Sequence, residues 1–233
     1  MKQAVKVRQY WENLQNLSMP DKNILGLEIQ AIKKLLGPGL LLDVGCGDGE
    51  ATKAYSQVKN LKTTGIDYSA ERLKLARKNY PGIKFIIADL TKKLPPQKYD
   101  YIVSQRFLIN LESWAQQKQM IAKLLSCLKP KGKLILCEGS QQGARKLDDF
   151  RAKFKLAPIS VRWHNVFLDD QKLTRLGFKL IGGFGGYFLL TRGVRPYFDQ
   201  DLNWNCRFNR LAAKINLPHD FSRLKIWQYE AKN

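Results

Sequence analysis

The chain has 233 residues, of which 44% are hydrophobic, and this composition excludes a disordered polypeptide. Lysine and arginine number 40 against 20 aspartates and glutamates, so the formal net charge is +20, but it is spread along the chain and excludes a discrete basic arm. No apolar run approaches the ~20 residues of a membrane span, no signal-peptide core follows the N-terminus, and the four cysteines form no CxxC pair, so we expect a cytoplasmic protein with free thiols.

Predicted helices and strands alternate through the first part of the chain. A helix over residues 23–36 ends at Gly37-Pro38-Gly39, and apolar strands follow at residues 40–44, 61–67, 83–88, 99–103 and 133–137. Helices are expected at residues 50–58, after the N-cap Ser69, and at residues 114–128. Strands separated by helices in this way predict an α/β, Rossmann-like, doubly wound fold with a mainly parallel sheet.

The remainder of the chain is expected to complete the same domain. Residues 178–183 and 187–191 flank a glycine-rich turn and predict a C-terminal antiparallel hairpin. We expect one domain over residues 1–233, with an N-terminal helical cap (1–36), a ligand-binding core (37–140) and a segment with the hairpin and a C-terminal extension (141–233).

A glycine-rich loop, residues 43–49 (DVGCGDG), directly follows the first strand. Glycines there permit a tight turn and a close approach of a ligand to the backbone. A dinucleotide loop reads GxGxxG/A, and counted from Gly45 the sixth position is Glu50, which breaks that pattern. The acidic Asp43 repels a pyrophosphate and suits a cationic ligand. S-adenosylmethionine (SAM) carries a sulfonium and an ammonium and no phosphate, so it fits this loop better than NAD.

Two more acids end the next two strands. Asp67 follows the glycines by about 20 residues, where an acid accepts hydrogen bonds from ribose hydroxyls, and Asp89 ends the third strand. With Asp43, three acids fall at the carboxyl ends of consecutive strands, which is the edge where open α/β sheets bind ligands.

These motifs, together with residues 99–103 and 128–136 (LKPKGKLIL), resemble the ordered motifs of class I SAM-dependent methyltransferases over residues 38–140. The resemblance implies an enzyme that uses SAM, with no metal ion. It places Asp67 on the ribose, Asp89 near the adenine, and Asp43, Gly45 and Gly47 around the methionine end. The other cofactor-binding residues that it implies are Cys46, Tyr68, Leu90 and Gln105.

Three further segments are similar to a bacterial subgroup associated with sugar and polysaccharide biosynthesis: residues 105–111 (QRFLINL), 137–143 (CEGSQQG) and 162–165 (RWHN). This likeness implies methyl transfer to a small-molecule or glycan acceptor, such as a sugar, a nucleotide-sugar or a polysaccharide precursor. The positive charge favours an anionic acceptor. Members of the subgroup often have an acid where this chain has Gln105.

Two side chains are candidate catalytic residues. His164 lies in a polar segment after the fifth strand and suits a general base, with packing or capping as the alternative role. Glu138 ends the fifth strand and either orients an acceptor or binds neighbouring backbone. An acceptor phosphate suits arginine forks, and the candidates are Arg106, Arg145, Arg151, Arg162 and Arg195, each with a plain surface role as its alternative.

Two other interpretations stay open. The net charge makes an RNA methyltransferase the second choice, although residues 104–107 (SQRF) lack the signature of base amino methylation. A non-catalytic SAM-binding protein is the third, and the three cofactor acids argue against it. The sequence does not fix the oligomeric state.

Overall fold

One sheet contains the seven strands of the computed structural model, which describes residues 3–199, 203–215 and 219–232. The strands are β1 (Gly39–Val44), β2 (Leu61–Asp67), β3 (Lys84–Ile87), β4 (Tyr99–Gln105), β5 (Leu128–Gly139), β6 (Lys179–Gly183) and β7 (Leu224–Glu230). Their order across the sheet is β3-β2-β1-β4-β5-β7-β6. The first five strands pair in parallel, and β7 runs antiparallel to both β5 and β6. The expected Rossmann-like fold is thereby confirmed, while both ends of the predicted 1–233 domain lie outside the described residues.

Helices precede the sheet, connect its strands and cover both of its faces. They are α1 (Gln3–Glu12), α2 (Lys22–Lys33), α3 (Glu50–Tyr55), α4 (Ala70–Asn79), α5 (Trp114–Ser126), α6 (Gln141–Lys153), α7 (Asp170–Arg175), α8 (Gly185–Phe188), α9 (Arg195–Phe198) and α10 (Arg207–Ala212). The predicted N-cap of α4 is confirmed, because the Ser69 hydroxyl accepts a hydrogen bond from the Arg72 backbone N–H at 3.2 Å. Among the residues that the structure describes, no helix combines the length and the apolar character needed to cross a membrane.

The central strands are apolar on both sides because helices pack on both sides. Leu41 of β1 and Ile135 of β5 are fully buried in one cluster with Ile24 and Ile32 of α2. Their neighbours in sequence, Leu42, Leu134 and Leu136, point the other way and pack in a cluster with Ile121 and Leu124 of α5. Burial on both faces gives these strands continuous apolar runs, as expected for parallel strands inside an α/β fold.

The predicted C-terminal antiparallel pairing is present, but one of its two strands is assigned wrongly. Residues 179–183 are a strand, whereas residues 187–191 lie in α8 and in the π-helical segment Leu189–Val194 that follows. β7 supplies the antiparallel partner instead. The run 187–191 places Tyr187 and Thr191 one helical turn apart, both are buried, and the Thr191 hydroxyl donates to the Tyr187 carbonyl at 2.7 Å. Helical spacing of buried groups therefore outweighs the β propensity of this short run.

Candidate functional site

The glycine-rich loop forms a turn that only glycine fits well. Gly45, Gly47 and Gly49 have φ angles of 68°, 54° and 81°, in the left-handed region that side chains disfavour. A Cβ atom on Gly45 would come within 2.8 Å of the Phe107 ring. The loop also donates its backbone N–H groups at Gly45 and Cys46 to the Ile66 carbonyl, at 2.8 and 3.1 Å, which fixes it against the end of β2.

Asp43 ends up buried beneath this loop. Its side chain is 2% exposed and accepts a hydrogen bond from the Thr52 hydroxyl of α3 at 2.6 Å. Burial raises the pKa of Asp43 to about 7; the Thr52 hydrogen bond lowers it in part, and the nearby Asp67 raises it further. A cationic ligand in the cavity that Asp43 lines favours the ionised carboxylate.

Asp67 joins the glycine loop to the start of α4. One of its oxygens accepts from the Gly47 backbone N–H and the other from the Ser69 backbone N–H, both at 2.9 Å. Burial raises the pKa of Asp67, and these backbone hydrogen bonds oppose the rise. A carboxylate accepts about four hydrogen bonds, so each oxygen retains capacity for a ligand hydroxyl.

Asp89 is more exposed and already has a cationic partner. Its Oδ2 atom lies 2.5 Å from an Arg8 guanidinium nitrogen, and its Oδ1 atom accepts from the backbone and hydroxyl of Thr91 at 3.0 and 2.5 Å. Partial burial raises the pKa of Asp89, but the Thr91 hydrogen bonds and the Arg8 charge together hold it below its usual range. The third acid is thus held ionised.

All nine predicted cofactor-binding residues line one cavity of about 800 Å³, at the carboxyl edge of the parallel strands. This volume is near the top of the range of roughly 300–1,000 Å³ that ligand pockets span, so two small ligands have room side by side. Gln105, one of the nine, uses both ends of its amide: it accepts from the Tyr55 hydroxyl at 2.7 Å and donates to the Glu28 carboxylate. Within the described ranges, no three histidine, cysteine or acidic side chains cluster where a metal ion would bind.

Helix α1 forms one wall of the cavity, through Val7, Arg8 and Trp11 among others. Arg72 of α4 fastens this helix and its end, because its guanidinium donates to the carbonyls of Trp11 at 2.7 Å and Asn16 at 2.6 Å. Sequence reasoning missed these wall residues. The adjacent aromatic pair at positions 10 and 11, in an otherwise polar segment, is the signal that points to them.

Glu138 lies at the end of β5, as predicted, but off the cavity wall. Its buried carboxylate accepts from the Ser104 hydroxyl at 2.7 Å and from three successive backbone N–H groups, those of Phe107, Leu108 and Ile109, at 3.0, 3.0 and 3.3 Å. Burial raises the pKa of Glu138 to about 7, and these hydrogen bonds oppose the rise. These contacts match the alternative that Glu138 binds neighbouring backbone and positions the loop after β4, while its catalytic role stays a prediction.

His164 also lies off the wall, although its neighbours Arg162 and Asn165 are on it. The ring is 1% exposed and packs against Tyr10, Trp11 and Trp163, at centroid distances of 4.6, 5.6 and 4.8 Å. Neither ring nitrogen has a hydrogen-bond partner among the described residues. Burial, and secondly the Arg162 charge, lower the pKa of His164 to about 4, so the imidazole is neutral near pH 7.

Comparison with known proteins supplies the family of the central segment. The family described as "Methyltransferase domain" matches residues 41–132. Trans-aconitate 2-methyltransferase from Acidovorax sp. strain JS42 is 32% identical over 100 residues, which are 42% of this chain and only 38% of that protein.

Two solved structures share the fold over the full length. Magnesium protoporphyrin IX methyltransferase from Synechocystis PCC 6803, with bound SAM, has a TM-score of 0.60 at 14% identity and covers 100% of this chain and 98% of its own. N-methyltransferase NodS from Bradyrhizobium japonicum WM9, in complex with S-adenosyl-L-homocysteine (SAH), has a TM-score of 0.59 at 13% identity and covers 100% of both chains. The chain therefore shares the fold of these two methyltransferases, and its residues 41–132 match the family described as "Methyltransferase domain".

Proposed function

We propose that this protein transfers a methyl group from SAM to a small-molecule or glycan acceptor. One observation carries the proposal: the glycine loop and the three acids at the ends of β1 and β2 and after β3 line a single cavity. SAM has a positive charge at its sulfur and at its amino group, and carboxylates attract such a ligand. The matched methyltransferase domain, residues 41–132, contains the loop and all three acids.

The contacts of this site suit each part of SAM. Gly45 and Gly47 leave room for the methionine end of SAM above Asp43, because they have no side chains and their φ angles disfavour any other residue there. Asp67 retains acceptor capacity for the ribose hydroxyls. The Asp89 carboxylate is the proposed hydrogen-bond acceptor for the adenine amino group. The apolar Leu90 beside it, 4% exposed, suits packing against the adenine ring.

Methyl transfer is an in-line displacement, in which a bond forms from the acceptor atom to the methyl carbon while the sulfur–carbon bond breaks. SAM supplies a methyl group on a sulfonium that departs as a neutral thioether. The work left to the protein is to align the acceptor and to exclude water, and the α1 wall around Trp11 serves the second purpose. An acceptor hydroxyl or amine must also lose a proton. His164 remains the candidate base; its pKa, lowered to about 4, keeps the ring unprotonated near pH 7 but makes it a weak base.

The acceptor class rests on the sequence resemblance to glycan-modifying enzymes and on the size of the cavity. A cavity of about 800 Å³ that also holds SAM admits a sugar or a small acid more readily than an RNA duplex. RNA remains the second candidate because of the net charge of +20.

The first experiment measures SAH binding by isothermal titration calorimetry in the wild type, Asp67→Asn and the exposed control Asp149→Asn. Asparagine keeps an oxygen for the Gly47 N–H but removes the charge, and the loss of charge-assisted hydrogen bonds of about 1.5–3 kcal/mol predicts about ten- to hundredfold weaker binding. Asp149→Asn should bind as the wild type does. Equal affinity of all three proteins would contradict the site.

The second experiment incubates the protein with methyl-labelled SAM and fractionated cell extract. Label in the nuclease-resistant glycan or small-molecule pool supports the proposed acceptor class. Label that nuclease removes would make RNA the acceptor, and SAH binding without any transfer would favour the non-catalytic interpretation.

A further inference from the structure

Four arginines of the cavity come from the segments after β4 and β5, and these are Arg106, Arg162, Arg192 and Arg223. The three acids assigned to SAM come from the ends of β1, β2 and β3, where Arg8 and Arg72 also line the cavity, and Glu112 lines it after β4. Arg223 reaches this edge because β7 is antiparallel: Leu224, its first residue, pairs with Gly139 at the carboxyl end of β5. Arg192 comes from the π-helical segment and Arg162 from the segment between α6 and α7. These arginines thus come from other segments of the chain than the three acids assigned to SAM.

Arg223 is a largely buried cation that lacks a carboxylate partner within the described part of the chain. Among the described residues, its guanidinium donates only long hydrogen bonds of 3.5 Å, to the carbonyls of Ile159 and Ser160, and its buried Nε has no partner there. The guanidinium is held over the Phe167 ring at 5.4 Å. Burial, and then the charges of Arg192 and Arg151, lower the pKa of Arg223 to about 10, while Asp148 opposes them. Buried charges in proteins are normally paired, so this cation is short of an anion.

Arg192 is fixed in place and has a spare donor. One guanidinium nitrogen lies 2.5 Å from an Asp21 oxygen, and the Trp204 ring stacks beneath the group at 3.8 Å. The other terminal nitrogen is buried and unpartnered within the described residues. Asp21 is itself saturated, since it accepts from the Tyr187 hydroxyl and caps α2. The arrangement leaves Arg192 oriented and only partly neutralised.

Arg162 is a third cation that lines the same cavity. It donates to the Leu17 carbonyl at 2.7 Å and lies over the Trp11 ring at 5.6 Å, with no ion pair to any described residue. Arg106, by contrast, lies 3.2 Å from the Glu28 carboxylate and is already paired.

We propose that Arg192 and Arg223, with Arg162, form an oxyanion subsite that binds a phosphate or carboxylate group of the methyl acceptor. Arginine forks match the two-oxygen edge of either group, and desolvated donors with unused N–H groups bind an anion more strongly than solvated ones. The subsite lies in the same cavity as the acids assigned to SAM, so it would hold the acceptor next to the methyl group. This inference rests on the proposed function and narrows its substrate class to small anionic acceptors.

The test titrates pyrophosphate and, separately, citrate into the protein by calorimetry, with and without saturating SAH. The variants are Arg223→Gln and Arg162→Gln, and the matched control is Arg145→Gln, which removes an exposed arginine of α6 that does not line the cavity. Arg192 is left intact because breaking its pair with buried Asp21 threatens the fold.

We expect each of the two variants to weaken binding of the preferred oxyanion by roughly tenfold or more, while the control stays within about twofold. Tighter binding of pyrophosphate than citrate identifies a phosphate subsite, and the reverse order identifies a carboxylate subsite. The inference is overturned if the wild type binds neither probe, or if Arg223→Gln and Arg162→Gln bind them as the control does. SAH affinity is also measured in the wild type and in every variant. If the wild type does not bind SAH, the proposed function is refuted. If it binds SAH normally but binds no oxyanion, only the subsite is refuted.

Discussion

Replacing Glu138 by glutamine tests whether this buried carboxylate is a positioning group. The side chain accepts four hydrogen bonds, three of them from the consecutive backbone N–H groups at residues 107–109. The variant Glu138→Gln keeps the shape but turns one acceptor oxygen into an NH₂ group that cannot accept. One backbone N–H therefore loses its partner in a buried place, which costs about 1–3 kcal/mol.

The pH dependence follows from the raised pKa. Unfolded, Glu138 titrates near 4.5; folded, it titrates at about 7, so between these values the native state binds a proton that the unfolded state has lost. Its contribution to stability is fully present below pH 4.5 and is lost as the pH rises through 7. A difference of about 2.5 pKa units corresponds to about 3 kcal/mol. The neutral amide lacks this term, so the variant should be about 1–3 kcal/mol less stable at pH 5, and the deficit should shrink by about 3 kcal/mol by pH 8.

Urea unfolding at pH 5, 6, 7 and 8 measures both quantities. The exposed Glu71→Gln of α4 serves as the control, and its curve should run parallel to that of the wild type. A stability difference between Glu138→Gln and the wild type that is the same at pH 5 and pH 8 would refute the argument from burial. In a transfer assay, a positioning role predicts a modest loss of rate without a shift in the pH profile, whereas a catalytic base would move that profile.

Two further predictions concern the glycine-rich loop and His164 with the aromatic rings around it. Gly45→Ala should abolish SAH binding measured by calorimetry. The new Cβ would lie 2.8 Å from the Phe107 ring, and a φ of 68° is strained for alanine. Binding within about twofold of the wild type would contradict the loop geometry. For His164, the folded pKa of about 4 lies below the unfolded 6.5, so wild-type stability falls by up to about 3 kcal/mol as the pH drops from 6.5 to 4. His164→Phe should lack this loss in urea unfolding, and parallel acid curves for the two proteins would show that the ring is not buried in solution.

Local patterns allowed most of the sheet and one part of the cavity to be predicted. The strands at 61–67 and the N-cap at Ser69 depend on neighbouring residues alone. The acids Asp43, Asp67 and Asp89 come together because parallel strands bring their carboxyl ends to one edge, so a correct strand assignment suffices to place them. Long-range pairing was less accessible. The 178–183 strand carries no signal for its partner β7, about 40 residues further on, and the helical packing of Tyr187 depends on Asp21 at the other end of the chain.

Arg162 was among the candidates from the sequence and lines the cavity, but Arg192 and Arg223 were missed for a related reason. Arg192 and Arg223 lie 31 residues apart in a chain rich in basic residues, and only the antiparallel course of β7 brings the second of them to the ligand edge. Arg195, which was a candidate, instead pairs with Asp199 one helical turn away. The catalytic candidates illustrate a different limit. The sequence predicts that Glu138 ends the fifth strand and that His164 follows it, but whether a side chain faces a cavity or the interior is decided by packing.

With SAM bound as proposed, the ion pair between Arg8 of α1 and Asp89 would affect how the ligand binds and leaves. A purine amino group that takes the Asp89 Oδ2 atom must share it with, or displace, a guanidinium 2.5 Å away. That pair is partly in water, with Arg8 46% exposed, so salt weakens it. Dissolved ions would therefore weaken the Arg8–Asp89 ion pair at the proposed adenine end. They would also screen the attraction between the acids and the cationic methionine end of SAM. The dissociation rate and the association rate of SAM would then depend differently on ionic strength. Varying the salt concentration would therefore help to separate cofactor exchange from the transfer step.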